Sequence, residues 1–374
     1  RKNPGIHGRV ANHHVCYRSR GYLILGCNYN TQKMTARKMG DINSEMQSDL
    51  SVELKSIIKH YLHDYPEMYR TMIEYQLGMD SQGSHDKAHG KRLRPLFVLQ
   101  VCQAFGGKRQ DALAAAASVE LLHNFSLIHD DIQDGSETRR GRDTVWKKWG
   151  IAQAINIGDA MLTLSFLALG RLESNVDQRS INSMKTLLEQ TCLTLTKGQF
   201  LDLAYEKENN LPVELYWEMV YGKTAVLLSS SCKLGAMVGG AEPSQVEKIG
   251  QFGITLGLAF QVQDDYLGIW GDPKITGKSK FTDLLYQKKT YPILKGLEGI
   301  KSFSDLWNQS DPIDEKKATE LARVLDNEGI KDHVKKTFSN LYYKAYQELD
   351  SLNLDQLSAA PLYNLVETIM QRVM

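Results

Sequence analysis

The sequence predicts an all-α protein folded as one domain. Three observations carry this. Apolar residues recur at helical spacing from about Ile42 to Val373. Only nine prolines occur, and Pro95, Pro212, Pro243, Pro273 and Pro292 sit where a helix could start or end. No alternating strand series, repeat or low-complexity tract interrupts the pattern. A chain of 374 residues can bury a sizeable core, and no linker divides it.

The elements follow in order. Residues 1–40 hold eight Lys and Arg and no acid, whereas the rest has 37 basic and 44 acidic residues. Such a segment can be an organelle transit peptide. Its patch YLILGC gives no clear amphipathic helix, and a foreign extension ahead of Met34 or Met39 is the plainer reading. We expect 1–40 to be a disordered extension and 41–374 the folded domain. There, INSEMQSDLSVELKSIIKHYL sets Leu50, Leu54, Ile57, Ile58 and Leu62 near one face. RQDALAAAASVELLHNFSLIHDD is rich in the strong helix formers Ala and Leu. Helical spacing continues through AQAINIGDAMLTLSFLALGRL, INSMKTLLEQTCLTLTKGQFLDLAY, PVELYWEMVYGKTAVLLSSSCKLGAMVGG, EPSQVEKIGQFGITLGLAFQVQDDYLGIW and the tail from Asp314. The most apolar stretch, 160–170, carries Thr163 and Ser165 and falls short of the roughly 18 residues of a membrane span. It reads as a buried helix. Residues 79–90, 135–143, 271–280 and 308–316 read as loops.

Bulk properties narrow the function. A net charge of +1 gives no general attraction for nucleic acid. Cysteines 16, 27, 102, 192 and 232 are too scattered for a zinc site or disulfide framework and fit a reducing compartment. A cytoplasmic location is expected, or an organellar one if 1–40 is a transit peptide.

Chemistry concentrates at two acidic helix ends. Asp130 and Asp134, four apart, lie about 40° apart around a helix and about 6 Å along it. They follow the apolar run LLHNFSLIH. Alone, this pair is open to two readings, a solvated acidic face or a cation site. A second pair, Asp264 and Asp265 in AFQVQDDYLGIWGD, favours the cation. Two helices with acids at corresponding ends can face each other and hold several Mg²⁺, which prefers oxygen ligands and bridges to phosphates. Basic residues gather nearby: Lys91 and Arg94, Arg139 and Arg140, Lys223, Lys278 and Lys288. Carboxylates ringed by Lys and Arg suit a polyphosphate. There is no P-loop, because GKTA lacks its spacing.

The order GKRLRP, ELLHNFSLIHDDIQD, RRG, GQFLD, GKTA, FQVQDD, GK at 277–278 and KKTYP resembles the trans-isoprenyl diphosphate synthases, the polyprenyl synthetase family. These matches span residues 90–292. The resemblance implies helices around a deep central cavity, a homodimer, and head-to-tail condensation of isopentenyl diphosphate onto an allylic diphosphate. It implies three Mg²⁺ with substrate bound, two on Asp130 and Asp134 and one on Asp264. Asp131 and Asp265 would support them or bond their waters. Lys91, Arg94, His123 and Arg140 resemble the isopentenyl diphosphate pocket, and Arg139, Lys223 and Lys278 the clamp on the allylic diphosphate. Thr224 and Gln261 would stabilise the allylic cation, and Lys288 would support the entrance.

Departures exist. The second motif usually reads DDxxD, and here Gly268 takes its last place. Asp264 alone can still serve. Gln199 and Asp202 read equally well as bonds between helices or as site residues. Phe125 and Ser126, five and four residues before Asp130, resemble the chain-length positions of geranylgeranyl diphosphate synthases and imply a twenty-carbon product. A fifteen-carbon farnesyl product is the main alternative. A terpene cyclase usually carries an N/D-x-x-S/T-x-x-x-E motif that DDYLGIWGD lacks. A non-catalytic subunit of a heteromeric synthase tends to lose metal aspartates, which this chain keeps.

Overall fold

A computed structural model describes residues 36–79, 90–174, 176–206, 208, 211–273, 280–309 and 311–371, together with strands β1 (Val15–Ser19) and β2 (Tyr22–Gly26). The two strands pair antiparallel, Ser19 opposite Tyr22. The segment expected to be disordered thus contains a hairpin, in keeping with the strand preference of Tyr and Ile. Helix α1 (Ala36–Tyr61) also starts ahead of the expected boundary at 41.

Helices make up nearly all the rest. They are α2 (Glu67–Gln76), α3 (Leu93–Ala104), α4 (Leu113–Gln133), α5 (Val145–Trp149), α6 (Ile151–Gly170), α7 (Gln178–Glu206) and α8 (Val213–Val220). A π-helical segment, Tyr221–Ala225, then leads into α9 (Val226–Val238) and α10 (Pro243–Trp270). The chain ends with α11 (Thr282–Leu285), α12 (Tyr291–Gly299), α13 (Lys301–Trp307), α14 (Glu315–Asn327), α15 (Ile330–Asp350) and α16 (Gln356–Met370). Local chemistry sets several starts. Glu242 and Gln245 form a capping box with Pro243 in the first turn of α10. Asp314 and Asp355 accept the backbone N–H of Lys317 and Ser358, which satisfies otherwise orphaned donors of α14 and α16.

Helix α4 is the central element. Its Ala114–Leu122 run is buried on every side, as expected of a helix that is apolar all round. It packs along α6, while α10 packs along α9 and α15, and α9 along α3. A smaller apolar cluster joins the end of α10 to α11–α14 through Ile269, Leu284, Ile293, Phe303 and Leu321.

Helix α6 departs from the sequence reading. The apolar run was expected to fall short of a membrane span, but among the described residues α6 is, at 20 residues, long and apolar enough to cross a membrane by length and composition, and it is only partly buried. Gln153, Asn156 and Asp159 break the apolar run in sequence, but the helical pitch gathers Ile157, Met161, Leu164 and Ala168 on a buried face against α4. Its other side exposes Ile151, Ile155 and Leu167.

Candidate active site

The first acidic motif sits in the last turn of α4. Asp130 is half-buried, Asp131 buried, and Asp134 caps the helix, its N–H donating to the Asp130 carbonyl at 2.8 Å. A two-residue turn returns the chain over them. Strands β3 (Thr138–Arg139) and β4 (Arg142–Asp143) pair around Arg140 and Gly141, both with positive φ, as the tightest hairpin requires. The Trp146 indole N–H donates to the Ser136 carbonyl at 2.9 Å and pins the loop. The hairpin aims Arg139 back at α4. Its Nε donates to both Asp131 oxygens at 2.8 and 3.1 Å, and its Nη2 reaches Asp130 at 3.3 Å. Burial and the neighbouring Asp130 charge push the Asp134 carboxyl up to about 6, with Lys223 and Lys288 pulling the other way. Like charges held this close favour a cation between them.

Lys223 joins this motif to α7. Its Nζ donates to Asp202 at 2.5 Å and to Asp130 at 3.2 Å. Burial alone would lower its pKa, but the Asp202 and Asp130 charges outweigh that and raise it, so the ammonium stays charged. The π-helical segment that presents Lys223 crosses α7 at a glycine pair. A Cβ on Gly222 would lie 2.8 Å from the Gly198 Cα, and one on Gly198 would strike the backbone of Gly222 and Lys223. Only glycine at both places allows this approach. The extra residue of a π-turn changes which side chains face inward, and such turns recur at functional sites.

Thr224, the next residue, ties the segment to α10. Its hydroxyl donates to Gln261 Oε1 at 2.8 Å, and Gln261 Nε2 donates to Asp265 at 2.9 Å. Asp265 also accepts from the Tyr216 hydroxyl at 2.6 Å and the Tyr291 backbone N–H at 3.0 Å. Burial nevertheless pushes its carboxyl up to about 6. Asp264 is half-buried, one helical turn from Gln261. The path Asp130–Lys223, Thr224–Gln261, Asp264 thus brings the two acidic helix ends to one region. Lys288, whose charge reaches Asp134, approaches from the chain after α11.

A second cationic group lies on the other side of the hairpin. Arg94 Nη1 donates to His123 Nε2 at 3.2 Å, which assigns His123 the neutral form with its proton on Nδ1. Burial, then the charges of Arg94, Arg140 and Arg139, push the His123 pKa well down. Gly90, at φ 66°, leaves its Cβ space to the Arg140 guanidinium, 2.5 Å from that position. Two guanidinium groups, Arg94 and Arg140, lie beside a neutral histidine with the Glu120 carboxylate near both, an excess of positive charge that suits an anion. Lys91 is exposed beside them. Among the described residues no three His, Cys, Asp or Glu side chains form a metal cage by themselves.

Comparison with known proteins assigns the family. The polyprenyl synthetase family model matches residues 83–325. The chain belongs to the polyprenyl synthetase family. It is a trans-prenyltransferase. A geranylgeranyl diphosphate synthase of Mycobacterium tuberculosis is 38% identical over 260 residues, 69% of this chain and 73% of that protein. A (2E,6E)-farnesyl diphosphate synthase of Mycobacterium bovis is 39% identical over 226 residues, 60% of this chain and 62% of that protein. The solved polyprenyl synthetase from Streptomyces coelicolor superposes with a TM-score of 0.80 at 30% identity, covering 88% of this chain and 99% of that one.

The expected residues gather in two groups. Asp130, Asp134, Arg139, Lys223, Thr224, Gln261 and Lys288 form one connected group, and Arg94, His123 and Arg140 a second. Lys278 lies outside the described residues. Asp131 and Asp265, expected to support the metals or bond their waters, accept hydrogen bonds from Arg139 and from Tyr216, Gln261 and the Tyr291 N–H, respectively. Of the pair left open, Gln199 donates to Gln133 across helices at 3.0 Å, and Asp202 accepts from Lys223. Phe125 is buried with its ring edge-on to His129 at 4.8 Å, and His129 packs on Gly158 of α6. The Ser126 hydroxyl donates to the His123 carbonyl at 2.7 Å. Arg92 and Tyr216 were missed. Arg92, in the left-handed region at φ 44°, turns inward to Ser51, Leu77 and Glu120 and anchors the loop.

Proposed function

We propose that the chain condenses isopentenyl diphosphate head-to-tail with an allylic diphosphate to give geranylgeranyl diphosphate, with Mg²⁺ as cofactor and residues 41–374 as the catalytic domain. The observation that carries this reading is the pair of separate cation clusters on either side of the Arg139–Arg140 turn. One is built on the aspartates Asp130, Asp134 and Asp202, whereas the carboxylate beside the other is the single buried Glu120, which also pairs with Arg92. A reaction with two diphosphates, only one of which leaves, needs that asymmetry.

Asp130 and Asp134 on α4 and Asp264 on α10 would hold the Mg²⁺, which neutralises charge growing on the leaving diphosphate. Arg139 and Lys223 bind the same diphosphate as fixed cations, and their contribution grows as the C–O bond lengthens. The Thr224 hydroxyl oxygen and the Gln261 amide oxygen turn dipoles toward the positive carbon. Arg94, His123, Arg140 and Lys91 hold isopentenyl diphosphate with its double bond beside that carbon, which makes the attack intramolecular in effect. Apolar side chains along α4 and α6 keep water from the cation.

The substrate tail would run from the carboxylates toward the N-terminus of α4, past Ser126 and up to Phe125. Phe125→Ala should lengthen the main product by one or more five-carbon units on chromatography. An unchanged product would end the role of Phe125 as a floor. Product chromatography with labelled isopentenyl diphosphate and each allylic primer tests the activity. A fifteen-carbon main product would favour the farnesyl reading, and hydrocarbon from a prenyl diphosphate alone would favour a cyclase. The outer faces of α6 and α7, with Ile151, Ile155, Leu167, Leu193 and Phe200 exposed, suit a homodimer. Sedimentation at twice the 42.3 kDa chain mass is the expected result, and a monomer at working concentration would refute it.

A further inference from the structure

Three consecutive residues at the end of α2 each reach a different part of the second cation cluster. The Tyr75 hydroxyl donates to the Asp143 carbonyl on β4 at 2.8 Å. Gln76 Nε2 donates to Asn124 Oδ1 on α4 at 3.2 Å. The Leu77 carbonyl accepts from Arg92 Nη2 at 3.0 Å, and Arg92 lies between Lys91 and Arg94 in sequence. We infer that the end of α2 positions the isopentenyl diphosphate site, with Tyr75 and Gln76 as positioning residues that set Arg140 against Arg94 and His123. This deepens the proposed reading of that cluster and rests on it.

The end of α2 is itself firmly set. Met72, Ile73 and Leu77 are buried and seat the helix on the core. Gly78, at φ 66°, closes it in a Schellman motif: its N–H donates to the Tyr75 carbonyl at 3.0 Å, and the Met79 N–H to the Glu74 carbonyl at 2.9 Å. Tyr75 grips the hairpin by its ring as well as its hydroxyl. The Arg142 guanidinium, on the residue paired with Arg139, lies 3.9 Å from the ring centre, and the Lys148 ammonium of α5 lies 4.2 Å from it. Trp149 packs edge-on to the same ring at 4.9 Å. Gln76 acts through a relay. Asn124 Nδ2 donates to Glu120 Oε1 at 3.0 Å, and the Glu120 charge reaches both Arg94 and Arg140. Support from outside is needed because the Arg94 and Arg140 charges oppose each other beside His123. The first cluster has supports of its own, Asp131 for Arg139 and Asp130 and Asp202 for Lys223, and those bonds do not involve α2.

Steady-state kinetics of the full chain, with each diphosphate varied in turn, test this. Tyr75→Phe keeps the ring and removes the hydroxyl, and should raise KM for isopentenyl diphosphate about fivefold, the scale of one net hydrogen bond. Gln76→Leu should do the same. Tyr75→Leu also removes the ring face from Arg142 and Lys148 and should raise that KM about twentyfold. KM for the allylic diphosphate and kcat should stay within about twofold, as for sites that share no partner. In an Arg140→Ala background Tyr75→Leu should add less than about threefold, because changes that act on one group are not additive. If Tyr75→Leu fails to fold, Tyr75→Phe and Gln76→Leu carry the test. Equal rises in KM for both substrates, a fall in kcat alone, or the full Tyr75→Leu effect in the Arg140→Ala background would overturn the inference. If Arg140→Ala raises KM for isopentenyl diphosphate and the Tyr75 and Gln76 variants do not, the inference fails and the reading of the cluster stands. If Arg140→Ala leaves that KM unchanged, the reading of the cluster fails, and this inference with it.

Discussion

Asp130→Ala should lower the condensation rate by at least about a thousandfold while leaving the helical fold intact. Removing a single fixed donor to a developing anion typically costs about 10²–10³ in rate. Asp130 controls more than one such group. Lys223 and Arg139 both bond it, at 3.2 and 3.3 Å, and it completes the pair with Asp134. The fold should tolerate the loss. Asp130 is half-buried in the last turn of α4, and both cations keep another partner, Lys223 on Asp202 and Arg139 on Asp131. Circular dichroism alongside kcat separates the outcomes. A kcat within tenfold of the parent would remove Asp130 from the mechanism.

Lys223→Met should have the next largest effect, a loss of about 10²–10³ in kcat/KM for the allylic substrate. The side chain neutralises Asp202 and Asp130 together, and without it two carboxylates face the incoming diphosphate. Lys223 bonds Asp130 and Asp202, whereas Arg94 bonds His123, so KM for isopentenyl diphosphate should change little. That split distinguishes a role in the allylic site from general damage. Lys223→Arg should recover only part of the loss. The longer planar group cannot reproduce a single ammonium between two carboxylates on different helices. Equal changes in KM for both substrates would contradict the separation of the two cation clusters.

Much of this arrangement was legible in the sequence. Apolar spacing marked the helices, and the i, i+4 pair Asp130–Asp134 marked the end of α4. The less legible parts depend on distance in space. GKRLRP showed a cationic loop but not that Arg92 turns inward, which follows from its left-handed backbone and its bonds to Ser51 and Leu77. GKTA showed a lysine but not the π-turn, which needs Gly198 on another helix to make room. The hairpin of β1 and β2 was passed over because the basic composition of residues 1–40 dominated the reading.

The central claim is that carboxylates on two facing helices, with divalent cations, draw diphosphate from an allylic substrate. The direct measurement is condensation of labelled isopentenyl diphosphate with farnesyl diphosphate, run with Mg²⁺, with excess EDTA, and with Mg²⁺ restored. The account predicts a twenty-carbon diphosphate that disappears with EDTA and returns with Mg²⁺. Undiminished turnover in excess EDTA would contradict it.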